Sequence, residues 1–322
     1  MIETFLERIV AATHDELAAR MAQTPLAELQ AQIGDLPAPR DLAAALRPAV
    51  GGSARLIAEI KRASPSKGLL AETFDPVAQA RAYAVGGAAA ISVLTEPRFF
   101  LGSLDHLRAV RAAVNIPVLR KDFVLDPYQV YETRVAGADA VLLICALLDD
   151  AMLANLLALT RTLGMEALVE AHDANEARRA VAAGASVIGV NSRNLRTFVV
   201  DTSRAHRLRP LVPVDRVFVA ESGVASVADA ARARAWGADA VLVGEALMRA
   251  ADPGAFTYAL ANAPGGGSAR AFAGASQPFV KICGLATPEQ AQTVAQAGGD
   301  AIGLNFWPQA PTHRRVSARQ AC

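Results

Sequence analysis

One phrase of hydrophobic and polar positions recurs along this chain. "AGADAVLLI" from residue 136, "AGASVIGV" from 183, "WGADAVLVG" from 236 and "GGDAIGLNF" from 298 each set a glycine ahead of an aliphatic run. Glycine suits the left-handed position that closes a helix, and the run after it is too continuous for a strand with one wet face. The phrase therefore predicts a helix stop followed by a strand buried on both sides. Between the phrases lie Ala, Arg and Leu stretches of helical period, such as "VADAARARAW" at 227–236.

The predicted strands are "LIAEIK", "AAISVLT", "PVLRKD", "AVLLIC", "EALVEAH", "VIGVNSR", "VFVAES" and "AVLVGE", beginning at residues 56, 89, 117, 140, 166, 187, 217 and 240. Eight strand–helix units in roughly 250 residues match a (β/α)8 TIM barrel of the α/β class. An open doubly wound sheet seldom needs eight such evenly spaced strands, and no GxGxxG follows the first one. Residues 1–50 predict a helical N-terminal extension, because Phe5, Ile9 and Leu17 recur among charges before the break at "LPAPR". It is expected to pack outside the barrel or to cap it. The barrel is expected over 51–260 and a flexible linker over 261–278, "ANAPGGGSARAFAGASQP". After the linker, 279–322 restart the repeat as a C-terminal βαβ fragment of a second barrel. Such a fragment buries too little apolar area to offset its ordering entropy, so loose structure is expected there.

In this fold the C-terminal strand ends and their loops build the site. Side chains alternate along each strand, so Glu59 and Lys61 share the inward side of the first. Lys121 ends the third, Glu170 the fifth, Asn191 and Arg193 the sixth, Glu221 and Ser222 the seventh. Strand ends are also polar simply because they reach water. Lysine usage tips the balance: Lys and Arg total 32, yet lysine occurs only at Lys61, Lys67, Lys121 and Lys281. A lysine that loses solvation can be tuned towards neutrality and can donate a proton; arginine cannot. Gly223 and Gly244 follow the seventh and eighth strands, where barrels often bind phosphate. His172 shares the face of Glu170 and is a minor candidate for lining the site. His14, His106 and His206 read as surface residues and Cys145 as a small core residue. Lys67 reads as a lid contact or a surface charge.

Composition narrows the partners. The hydrophobic fraction is 52% with 5% aromatics, an aliphatic core, and the net charge of +1 argues against nucleic acid. No apolar run approaches about 18 residues, and the N-terminus lacks a leader, so no membrane and a cytoplasmic location are expected. Three cysteines without CxxC offer no disulfide framework or metal site. A monomer acting on a small phosphorylated molecule is expected. The residues by themselves leave open a Schiff-base aldolase or sugar-phosphate isomerase using Lys121 as nucleophile, and a barrel that only binds a phosphate ligand.

The stretches "IAEIKRASPSKG", "SVLTEPRFFLGS", "PVLRKDFVLDPYQVYE", "ADAVLLI", "GMEALVEAH", "IGVNSRNLRTFVVD", "VAESGV" and "ADAVLVGEALMR" together closely resemble the indole-3-glycerol phosphate synthase family, from about residue 4 to 260. The resemblance implies a cofactor-free lyase that converts 1-(2-carboxyphenylamino)-1-deoxyribulose 5-phosphate into indole-3-glycerol phosphate, CO2 and water. It implies Lys121 as general acid for ring closure and Lys61 as a second catalytic lysine on the substrate carboxylate. It implies Glu170 as base, Glu59 as partner of the lysines, and Asn191, Arg193, Glu221 and Ser222 as orienting groups. Ser64, Gly223, Gly244 and the backbone at Glu245 match the phosphate site, and Phe100 and Phe123 match aromatics flanking the anthranilate ring. "FFLGS" stands where a Tyr-Phe pair is common, and "VNSRN" where a second Asn is frequent. The tail "VKICGLATPEQAQTVAQAGGDAIGLNFWPQAP" resembles the opening of phosphoribosylanthranilate isomerase, with Cys283 at the catalytic cysteine. The acidic partner of that cysteine lies far downstream in the family pattern and is absent here, so no isomerase activity is expected.

Overall fold

The computed structural model describes residues 4–49, 51–65, 67–71, 73–194 and 197–264, with 281–283, 287, 290 and 301–303. The chain divides into two units, Met1–Ala269 and Arg270–Cys322. In the first, eight parallel strands close into a barrel in sequence order. They are β1 (Arg55–Ile60), β2 (Ala90–Leu94), β3 (Val118–Lys121), β4 (Ala140–Ile144), β5 (Glu166–Ala171), β6 (Val187–Asn191), β7 (Val217–Glu221) and β8 (Ala240–Val243). β1 closes the ring by pairing β8 on one side and β2 on the other, with Arg55 opposite Ala240 and Ile57 opposite Ala90.

The aliphatic runs are continuous because each strand is covered twice. Ile57, Leu119, Leu142, Leu168, Val219 and Leu242 fill the barrel interior, while Leu56, Ile91, Val141, Val169, Ile188 and Phe218 pack outward under the helices. In the first three phrases the glycine takes the left-handed conformation that ends the helix, at Gly137 (φ 84°), Gly184 (φ 82°) and Gly237 (φ 91°). The aspartate two residues on has its own task. Asp139 Oδ2 accepts from Val118 N at 2.8 Å, and Asp239 Oδ2 accepts from Phe218 N at 2.9 Å, so each caps the neighbouring strand where it begins.

The extension contains α1 (Phe5–Gln23), α2 (Leu26–Gln32) and α3 (Leu42–Ala45). A capping box between Thr4 and Glu7 starts α1. The outer helices relevant here are α4 (Pro76–Val85), α5 (Leu104–Ala113), α6 (Pro127–Val135), α7 (Asp150–Thr162), α8 (Ala174–Ala182), α9 (Arg204–Leu208), α10 (Val227–Ala235), α11 (Glu245–Met248) and α12 (Pro253–Ala261). The extension straps along α6: the Tyr128 hydroxyl bonds the Arg20 and Thr24 carbonyls, Arg20 pairs with Glu132 at 2.8 Å, and Arg134 bonds the Pro37 carbonyl. Farther on, Arg40 N donates to Asp139 Oδ1 at 2.8 Å, and Leu42 and Leu46 join the inner cluster beside the strand starts Ala90, Ala140 and Ala240. The extension thus runs from the mouth, where Phe5, Leu6 and Ile9 border the cavity, to the base.

At the other end of the unit, Ala263 is buried and its carbonyl accepts from the Ser53 hydroxyl at 2.6 Å. In the second unit, Lys281–Cys283 pairs in parallel with Ala301–Gly303. Of the linker expected over 261–278, Ala261 ends α12 and Ala263 is buried, so the barrel unit runs a few residues further than expected; the rest of that linker, and the tail apart from the residues just given, lie outside the described residues. Among the described residues, no helix is long and apolar enough to cross a membrane.

Candidate active site

A cavity of about 520 Å³ opens at the C-terminal ends of the strands. The residues that the family resemblance assigned to the site all border it: Glu59, Lys61, Ser64, Phe100, Lys121, Phe123, Glu170, Asn191, Arg193, Glu221, Ser222, Gly223, Gly244 and Glu245. Alternation along the strands brings them there. On β3, Arg120 points between the strand and α6, where it bonds Asp122, Thr95, the Gln129 carbonyl and Thr133, so its neighbour Lys121 faces in.

Two lysines meet three carboxylates. Lys61 Nζ lies 2.5 Å from Glu59 Oε1, and Lys121 Nζ lies 3.4 Å from Glu170 Oε2 and 3.9 Å from Glu221 Oε2. Burial would push Lys121 down, but Glu170, Glu221 and Glu59 outweigh it and hold the ammonium above its ordinary value. This corrects the expectation of a lysine tuned towards neutrality. The lysine is desolvated, as expected, yet it is desolvated among anions. Burial likewise opposes ionisation of Glu59 and Glu170, but Lys61 and Lys121 for the first, and Lys121 and His172 for the second, keep both below the usual range. Glu221, buried beside the charged Glu170, is pushed well above the usual carboxylate range.

The remaining walls are shaped by turns. Asn191 Oδ1 accepts from the Ser222 hydroxyl and from Arg193 N, each at 2.9 Å. Ser222 itself is left-handed (φ 62°), a conformation that costs a non-glycine residue roughly 1–3 kcal/mol and clusters at functional sites. A Cβ on Gly244 would overlap Glu59 Oε1 and stand 2.9 Å from Lys61 Nζ, so the β8 turn passes directly against the lysine–glutamate pair. Phe100 and Phe123 stand 6.1 Å apart at 36°. The loop that carries Phe100 wraps the buried Glu96 carboxylate, which accepts from the amides of Arg98, Phe99 and Phe100.

Sequence reasoning missed part of the lining. Phe5, Leu6 and Ile9 come from α1, Phe198 and Val200 from the loop after β6, and Arg249 from the end of α11. The apolar face of α1 was legible, but not what it covers. Gly189, inside β6, carried an unused signal: a glycine within a strand marks a close approach, and a Cβ there would overlap Glu221 Oε1. His172 does not line the cavity; it stands between Glu170 and Glu176. His106 is half-buried, edge-on to Phe74 at 5.1 Å, rather than on the surface. His14 and His206 are exposed, and Cys145 is buried with its thiol pushed up to about 12 by burial. Lys67 is half-exposed and 3.9 Å from Glu245.

The family profile described as indole-3-glycerol phosphate synthase matches residues 6–260. This chain belongs to the indole-3-glycerol phosphate synthase family. The indole-3-glycerol phosphate synthase of Roseiflexus sp. (strain RS-1) is 51% identical over 259 residues, covering 78% of this chain and 96% of the relative. That of Nocardioides sp. (strain ATCC BAA-499 / JS614) is 56% identical over 248 residues, covering 77% and 94%. The chain is accordingly a carboxy-lyase of tryptophan biosynthesis. Among solved structures, a thiamine phosphate pyrophosphorylase from Pyrococcus furiosus superposes with a TM-score of 0.51 at 17% identity, covering 68% of this chain and 96% of that one. At that identity the likeness shows the barrel alone.

Proposed function

We propose that this cavity closes the indole ring of 1-(2-carboxyphenylamino)-1-deoxyribulose 5-phosphate, with Lys121 as the acid of the closure. The phosphate would rest against Ser64, Gly223, Gly244 and the Glu245 backbone, on the adjacent loops after β1, β7 and β8, and the aromatic ring between Phe100 and Phe123. The carboxylate of the substrate would face Lys61. As the ring carbon attacks the ketone, the Lys121 ammonium gives its proton to the developing alkoxide. CO2 then departs and leaves its bonding pair to the ring. A second proton, from Lys121 or Lys61, converts the hydroxyl to water, and Glu170 takes the proton whose loss completes the indole. Asn191, Ser222 and Arg193 orient the hydroxyls, and Glu59 holds Lys61 in place.

The observation that carries this reading is the position of Lys121, an ammonium beside Glu170 and Glu221 at the mouth of the barrel. A cationic lysine suits a proton donor and not the nucleophile of a Schiff base, which must be neutral. The test is incubation with the carboxyphenylamino substrate while indole fluorescence is followed. Turnover is expected in the parent, and Lys121→Arg should lose 10²–10⁴-fold in kcat with KM within a few-fold. Borohydride should trap no adduct. A variant that keeps more than about half of parental kcat would take Lys121 out of the acid role.

For the tail we infer, from its resemblance to phosphoribosylanthranilate isomerase, that 279–322 belong to a second barrel with Cys283 at its reactive position. The parallel pairing of Lys281–Cys283 with Ala301–Gly303 agrees with a βαβ unit. Assaying this 322-residue chain with phosphoribosylanthranilate is expected to give no isomerisation; activity abolished by Cys283→Ala would reverse that expectation.

A further inference from the structure

One buried titratable group beside the cavity is not used by the ring-closure scheme. His172 follows β5 directly, and its side chain is 12% exposed. Its backbone amide and its Nδ1 both meet Glu176 Oε2, in the first turn of α8, at 2.7 and 3.0 Å. Its Nε2 lies 3.3 Å from Glu170 Oε1, within ion-pair range although without hydrogen-bond alignment. The second oxygen of Glu170 faces Lys121. Glu176, His172, Glu170 and Lys121 therefore form a row of alternating charge that leads from the rim to the cavity.

This row breaks a symmetry. Glu170 and Glu221 both approach Lys121, and two carboxylates that close do not both ionise. Glu170 has a cation at each oxygen. Glu221 has Lys121 alone, and its Oε1 is buried against Gly189 with no hydrogen-bond partner. We propose that His172 is a positioning residue for the reaction, selecting Glu170 rather than Glu221 as the ionised carboxylate beside Lys121. The inference rests on the reading that the cavity closes the indole ring with Glu170 as its base. His172 touches no substrate; it acts through Glu170.

The charged surroundings support a cationic imidazole. β5 contributes Glu170, and α8 contributes Glu176 and Arg179, preceded by its N-cap Asp173. The turn after β4 contributes the Cys145 thiol, and α7 contributes Asp150. Arg179 is engaged by Asp150 at 2.6 Å and by the Cys145 and Leu148 carbonyls, which leaves Glu170 and Glu176 to His172. Burial works against the imidazolium, but the two carboxylates raise it to about 9. Below that pH Glu170 keeps its second cation, and above it the selection is lost.

The test compares pH profiles of kcat and KM for the full chain, His172→Gln and Glu176→Gln, with an NMR titration of the His172 ring. His172→Gln should lose at least several-fold in kcat, because part of the negative charge passes from Glu170 to Glu221, with KM within about twofold. Its acid limb should move to higher pH, because Glu170 then protonates more easily. Glu176→Gln should move the alkaline limb to lower pH, and the ring should titrate near 9 in the parent. A His172→Gln profile superimposable on that of an active parent would overturn the inference, as would ring titration near 6.5. Should His172→Gln fail to fold, the Glu176→Gln profile and the parental titration decide the matter. A parent inactive on the substrate would instead overturn the function, so the two failures are distinct.

Discussion

Gly244 is confined by its neighbours. The space where a Cβ would stand is taken by Glu59 Oε1 and Lys61 Nζ. Gly244→Ala should therefore fold but push the pair aside, and displacements of about 1 Å near the chemistry can cost 10²-fold. We expect kcat to fall at least tenfold with an unchanged circular dichroism spectrum; near-parental kcat would show that the pair yields without cost. His172 has a second, thermodynamic signature. Its folded-state value is raised from 6.5 to about 9, so the stability it contributes is complete below about 6.5 and is lost as pH rises through 9. In urea denaturation, the advantage of the parent over His172→Gln should be larger at pH 6 than at pH 10, and a gap independent of pH would contradict the cation.

At the scale of elements, α1 serves as a wall of the cavity as well as a strap. Phe5 stands edge-on to Phe99 at 5.0 Å and to Phe198 at 5.2 Å, with the Arg8 guanidinium over Phe5 and Phe99. These contacts join the N-terminal helix to the loops after β2 and β6. Phe5→Ala removes an aromatic wall worth roughly 1.5–3 kcal/mol of burial, so KM should rise several-fold and kcat should change less. A variant in which kcat alone falls would place α1 in the chemistry. At the base, Asp139 is fully buried and serves Val118, Arg40 and Arg111 together. Asp139→Ala strands two amides and a guanidinium, each at about 1–3 kcal/mol if it stays buried, so urea unfolding should show a loss of at least about 2 kcal/mol.

At the scale of the whole molecule, the barrel unit needs a few residues beyond α12. Ala263 is buried and ties to Ser53, close to the start of β1. A chain ending after Pro264 should keep synthase kcat and thermal midpoint, whereas one ending at Leu260 should melt several degrees lower. Differential scanning calorimetry of the two truncations checks this, and a large loss from the first would mean that the later residues support the barrel. The active chain is expected to run as a monomer by light scattering.

The pattern of the chain was enough to determine the barrel and the rim. Both faces of each strand are buried, so aliphatic runs mark the strands, glycines such as Gly137 and Gly237 mark the helix ends, and period-two alternation carries Lys121, Glu170 and Glu221 to one mouth. These are consequences of local geometry, which repeats along the chain. What only the tertiary structure decided is which charges meet and at what distance. The ammonium of Lys121 is stabilised by carboxylates from β1, β5 and β7, and the ionisation of Glu170 by a histidine clamped from α8. Coulombic energy follows distance through space and the local exclusion of water, neither of which is written in periodicity. For the same reason the apolar face of α1 announced that it would be buried, while only the closed barrel made it the wall of the site.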